Sequence, residues 1–100
     1  MDRLARNIGP MDKEFFSSIE DRRAAYAERS GVASADIQIT FHNGRMVLLD
    51  RVVEASDSWL IIDGRDKLDE ESPIALSTPY HQISAVQFMP RRERIGRTGF

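Results

Sequence analysis

Ile37, Ile39 and Phe41 alternate with Gln38, Thr40 and His42, and the run stops at Asn43-Gly44. A period of two puts the three apolar side chains on one face of a strand. Asn-Gly is the favoured pair for a two-residue type I′ hairpin, whose central positions both need positive φ. The chain therefore returns as a second strand, expected from about Arg45 to Ala55. Val47 and Leu49 share one face of it, but Val52 and Val53 stand together beside charged Asp50 and Arg51. A long strand whose phase slips in this way predicts a bulge or a sharp bend.

The strands continue. Ser56-Asp57-Ser58 reads as a turn, with Asp57 as the residue that shapes it. Trp59-Leu60-Ile61-Ile62 reads as a short apolar strand, and Asp63 to Ser72 as a polar, acidic loop. Ile74 to Thr78 is a fourth strand between Pro73 and Pro79, a setting that suits a short edge strand. Ile83 to Met89 is a fifth, stopped by Pro90. Ahead of the strands, Phe15, Phe16, Ile19, Arg23 and Tyr26 recur at helical spacing. Asp12 is placed to cap that helix and Arg29-Ser30-Gly31 to end it, so one helix is expected over residues 12–30. One N-terminal α-helix followed by five antiparallel strands, the second long and bent, predicts a mainly β fold, a small and strongly bent barrel. The five-stranded OB-fold usually places its helix between the third and fourth strands, and the Asp63–Ser72 stretch is too polar and acidic to be that helix.

A chain of 100 residues with no cysteine is one small domain without disulfides, thiolate metal sites or cysteine nucleophiles. The expected organisation is a single domain over residues 1–90, with its helix at 12–30 and strands within 35–89, and an Arg-rich tail at 91–100. No apolar run reaches the length of a membrane helix, and Met1 to Arg6 lack the apolar stretch of a secretory signal, so a cytoplasmic location is expected. The net charge of −2 is unevenly placed: Arg91, Arg92, Arg94 and Arg97 against one Glu make the tail +3, while residues 1–90 carry −5. A globally basic nucleic-acid binder is excluded, and phosphate binding has to come from local clusters. No Gly-rich phosphate loop, nucleophile elbow or metal-spaced cluster is present. Asp57 with His81 is the one pair that offers a general base. A non-enzyme without cofactor or metal is expected.

Three stretches carry a resemblance to a known family. Phe15, Phe16, Ile19, Arg22 and Arg23 form a Phe- and Arg-rich helix leading into a strand and Asn43-Gly44. Asp57-Ser58-Trp59-Leu60-Ile61-Ile62 matches the Asp–x–aromatic–aliphatic run that ends the first Sm motif. His81-Gln82-Ile83-Ser84 is similar to the His–Ala–Ile–Ser of the second motif in the bacterial RNA chaperone Hfq. The pattern covers about residues 12–90 and resembles the Sm-like family, nearest to its Hfq type. Where the Hfq type has Tyr-Lys before its histidine, Pro79-Tyr80 stands here. Thr40 stands where that type has a purine-binding Tyr, and the glycine that helps bend the second strand is missing.

The resemblance implies a homo-oligomeric ring in which the fourth strand of one subunit pairs with the fifth of the next, closing both sheet edges. It implies a single-stranded RNA ligand, with DNA as the alternative, near the pore. Trp59 takes the place of the aromatic that stacks on a base, against the alternative of a core tryptophan. His81 takes the place of the histidine that hydrogen-bonds RNA, against a histidine that only caps its turn. Ser58 is placed to reach a base through its hydroxyl. Tyr80 is either a further contact or an interface aromatic. Arg22 and Arg23 correspond to an outer-rim arginine patch, against a salt-bridged helix face beside Glu20 and Asp21. Arg91, Arg92, Arg94 and Arg97 are candidate phosphate contacts. The rival reading is a ring of the same fold that binds a protein and no nucleic acid.

Overall fold

Asp12 opens the helical segment: its carboxylate accepts the Phe15 N–H at 3.2 Å. In the computed structural model, which describes residues 11–91, this segment is two helices, α1 (Lys13–Ser17) and α2 (Ile19–Ser30). The single helix expected over 12–30 is thereby corrected. The break is at Ser18, whose φ and ψ of −106° and 15° leave the helical region. Its hydroxyl donates to the Glu14 or Phe15 carbonyl, at 3.1 and 3.2 Å, the back-bonding that bends helices. The bend turns both Phe16 and Ile19 into the core. Gly31, with φ of 73°, ends α2 in the left-handed conformation that glycine adopts without penalty.

Five strands follow: β1 (Ala35–Phe41), β2 (Met46–Ala55), β3 (Trp59–Asp66), β4 (Asp69–Pro79) and β5 (Ile83–Pro90), with a 3₁₀ turn at Tyr80–Gln82 before the last. They form one antiparallel sheet in the order β4-β3-β2-β1-β5. The mainly β fold, one helical segment before five strands, is as expected. Ala35, Ile37, Ile39 and Phe41 are buried along β1, and the last three meet Phe16, Ile19, Val47, Leu49, Leu60 and Ile62. No helix among the described residues is long and apolar enough to cross a membrane.

The first hairpin differs from expectation. The Phe41 N–H donates to the Arg45 carbonyl at 2.9 Å, and the Gly44 N–H to the Phe41 carbonyl at 2.8 Å. The loop therefore holds three residues, His42, Asn43 and Gly44, with Gly44 at φ of 91°. Asn43 uses its side chain instead, accepting the Arg45 N–H at 2.9 Å. This is the three-residue hairpin closed by a left-handed glycine, not a two-residue type I′ turn.

The bend in β2 is present. Its register with β3 shifts between Leu49 and Arg51 and again between Val52 and Glu54, so Asp50 and Val53 are the extra residues of two bulges. Gly64 lies opposite Leu49 at the first bulge. A Cβ at Gly64 would overlap the Leu48 carbonyl oxygen and lie 3.1 Å from Val47 Cγ1. The close approach that lets β2 turn is thus made by a glycine on its neighbour β3.

The Asp63–Ser72 loop is corrected to sheet. β3 runs to Asp66 and β4 begins at Asp69, leaving Lys67-Leu68 as a tight turn. The charges that made this stretch look like a loop neutralise one another across strands: Arg51 with Asp63 at 3.1 Å, Arg65 with Asp50 at 2.9 Å, Arg45 with Asp66 at 3.0 Å. Asp66 also accepts the Leu68 N–H at 2.9 Å. That bond, and then the Arg45 guanidinium, hold its carboxyl below the usual aspartate range.

β4 is an edge strand, as expected, but eleven residues long with Pro73 inside it. Pro73 and Pro79 have no N–H to give β3, so in antiparallel alternation the residues of their parity turn their backbone outward. Ala75 and Ser77 therefore offer free N–H and C=O groups along this edge. At the other edge the Arg91 N–H donates to the Ser34 carbonyl at 3.1 Å. The unbroken register from Ala35 to Thr40 then turns the backbone of Val86 and Phe88 outward. The sheet curls until Leu76, Ser77 and Thr78 face Phe41 and Gln82 across a cleft of about 150 Å³, but β4 and β5 do not pair.

Gly64→Ala is expected to destabilise the fold by about 1–3 kcal/mol, the usual penalty of overpacking against backbone. A thermal melt at the wild-type midpoint would show that another residue sets the bend.

Candidate nucleic-acid interface

The turn between β2 and β3 is held by Ser56. Its N–H donates to the Trp59 carbonyl at 2.9 Å, and its hydroxyl accepts the Trp59 N–H at 3.3 Å. Asp57, read from sequence as the turn-former, makes no such bond. Its side chain is 90% exposed and pairs with Lys13 Nζ at 3.4 Å. Ser58 is exposed at the tip.

Trp59 begins β3 opposite Pro79, the last residue of β4. It is 49% exposed, while the core is filled by Phe16 and the inward faces of the strands. Trp59 is therefore not a core tryptophan. A half-exposed indole offers a flat face, and base stacking on such a face is sequence-tolerant.

Tyr80 follows Pro79 and is half-buried. Its hydroxyl donates to the Ser56 carbonyl at 2.6 Å, and its ring stacks on Phe16 at 6.0 Å and 25°. Burial raises its pKa, and the nearby Asp12 and Asp57 carboxylates raise it further. The hydroxyl is spent inside the molecule, so Tyr80 lashes the 3₁₀ turn to the Ser56 turn. His81 is exposed in the middle of that 3₁₀ turn. The Trp59–Pro79 pairing and the Tyr80–Ser56 bond thus bring Ser58, Trp59, Tyr80 and His81 to one end of the sheet.

The arginines are engaged in other contacts. Arg22 lies over the Phe15 ring at 4.7 Å, and its Nε donates to Ser18 Oγ at 3.1 Å. Arg23 is largely covered: its Nε is 3.3 Å from Glu20 Oε1 and its Nη2 reaches the Leu49 carbonyl at 3.5 Å. Arg23 therefore serves the helix–sheet contact at the β2 bend. Arg91 pairs with Asp36 at 3.2 Å. It follows eight residues of β5 that start beside His81, which puts it roughly 25 Å from the Trp59 end. Arg92, Arg94 and Arg97 lie outside the described residues.

Two site residues escaped the sequence reading. Lys13 meets Asp57 across 44 positions of chain, and Gly64 carries the bend. Neither belongs to a local pattern. Among the described residues no group of three or more His, Asp or Glu is arranged to hold a metal ion.

Tyr80→Phe is expected to cost about 1–2 kcal/mol, because it removes one hydrogen bond and leaves the Ser56 carbonyl without that partner. The raised pKa adds a sign. Above about pH 10 the unfolded chain loses the Tyr80 proton before the folded one does, so stability falls as pH rises. Denaturant titrations of both proteins at neutral and alkaline pH check this: the gap between wild type and variant should narrow as pH rises, and a constant gap would contradict it.

No family model, no curated protein and no solved structure matches this chain.

Proposed function

We propose that the chain is an Sm-like subunit that forms a homo-oligomeric ring and binds single-stranded RNA, or DNA, at one end of its sheet. The observation that carries this reading is the half-exposed Trp59 beside Ser58 and His81, on two turns tied together by Tyr80. In this mechanism a base stacks on the Trp59 face, while Ser58 Oγ and the His81 ring hydrogen-bond its edge or the neighbouring phosphate. Tyr80 holds the two turns in register. Repeated around a ring, each subunit adds one stacking platform.

The sheet edges support assembly. Ala75 and Ser77 on β4, and Val86 and Phe88 on β5, carry outward backbone groups, and pairing β4 of one copy with β5 of the next satisfies both sets. The relation is head-to-tail, and it closes as a ring where the rotation between neighbours divides a full turn. Such a ring buries edges that a domain of this size otherwise leaves in water.

One observation favours the rival, a protein-binding ring of the same fold. Six of the nine described lysines and arginines, Lys13, Arg23, Arg45, Arg51, Arg65 and Arg91, are in ion pairs, so most of the described positive charge is already paired. Salt separates the two readings, because phosphate contacts weaken steeply with ionic strength.

Trp59→Ala is expected to weaken binding of a short oligouridylate or oligoadenylate by about tenfold to a hundredfold, the worth of one stacked base. The native mass should not change. Equal affinity in an assembly of equal mass would sink the stacking assignment. Absence of binding by wild type, even at low salt, would favour the rival.

A further inference from the structure

The proposed site has a stacking face and hydrogen-bond donors but no evident cation. Tyr80 is uncharged at neutral pH and its hydroxyl is used. Arg22 and Arg23 are held on the helix side, and Arg91 is at the far end of β5. The cation that does meet the Trp59 turn is Lys13, two residues of turn away from the indole through its contact with Asp57.

Resting on the nucleic-acid reading above, we infer that Lys13 is the phosphate-binding residue of the Trp59 site and that Asp57 is its resident competitor. Lys13 is the first residue of α1, and that helix is fixed by the Asp12 cap and the buried Phe16. Its position is set while its ammonium stays in water: the side chain is 54% exposed. The contact to Asp57 is a single 3.4 Å approach between exposed groups. A pair of this kind contributes little to stability, so exchanging the carboxylate for another oxyanion costs little. A nucleotide stacked on Trp59 carries its phosphate past the same turn. There the ammonium can leave Asp57 for the phosphate, while the freed carboxylate, strongly exposed, rehydrates. The contact is to the backbone, so it adds affinity without base preference.

The test uses the full chain, a fluorescently labelled oligouridylate and an oligoadenylate of equal length, with anisotropy titrations over a range of salt. Lys13→Gln is expected to weaken both ligands by about threefold to tenfold and to make the slope of log affinity against log salt shallower by about one. Asp57→Asn is expected to tighten both by a similar factor, and the double variant should behave as Lys13→Gln alone. Both side chains are exposed, so melting temperature and native mass should stay at wild-type values. Lys13→Gln with unchanged affinity and slope, while Trp59→Ala still weakens binding, would overturn the role of Lys13 and leave the function standing. No binding by wild type and none by Asp57→Asn at low salt would overturn both.

Discussion

The bend in β2 is the constraint on which the rest of the molecule depends. Its start, up to Leu48, pairs with β1, and the rest pairs with β3 alone and carries the two bulges at Asp50 and Val53. Gly64 lets the strands approach there, and Arg23 reaches from α2 to the Leu49 carbonyl at the same place. Because the sheet curls at that point, β4 comes round toward the start of β5 without pairing with it. The Ser56 turn and the Tyr80 turn leave the same end of the β3–β4 ladder, where Trp59 pairs with Pro79. A flat sheet of the same strands would give Phe16 and Ile19 no concave face to fill.

Much of this was legible in the chain. The alternation of Ile37, Ile39 and Phe41 gave β1, the slipped phase at Val52-Val53 gave the bulged β2, and Arg29-Ser30-Gly31 gave the end of α2. What stayed hidden depends on contacts between distant residues. The Asp63–Ser72 stretch read as a loop because its charges look solvated until Asp50, Arg51 and Arg45 are seen opposite them on β2 and its approach. Asn43-Gly44 gave a hairpin but not its loop length, since Asn43 used its side chain to hold Arg45. Ser18 interrupted a good helical period through a hydroxyl bond that spacing does not reveal. At the candidate site, Trp59 and His81 were visible from their motifs, whereas the inward turn of the Tyr80 hydroxyl and the approach of Lys13 were not.

The electrostatics of the surface shape the proposed function. Most described cations face carboxylates on neighbouring strands or on the same helix. Free positive charge is therefore scarce where Trp59 is exposed. In the proposed function such a site binds through an aromatic face and hydrogen bonds, with charge as a modest and salt-sensitive addition. In the proposed ring the same scarcity is offset by number, because several Trp59 platforms act on one strand together where a single one would bind weakly.

The central claim is that β4 and β5, open in one copy, close against each other between copies. Native mass by light scattering after size exclusion tests it most directly. A ring closed in this way gives a single species whose mass is a small whole-number multiple of 11.4 kDa, unchanged by dilution or high salt because backbone pairing, not surface charge, holds it together. A monomer of 11.4 kDa at all concentrations would contradict the ring and remove the composite site with it.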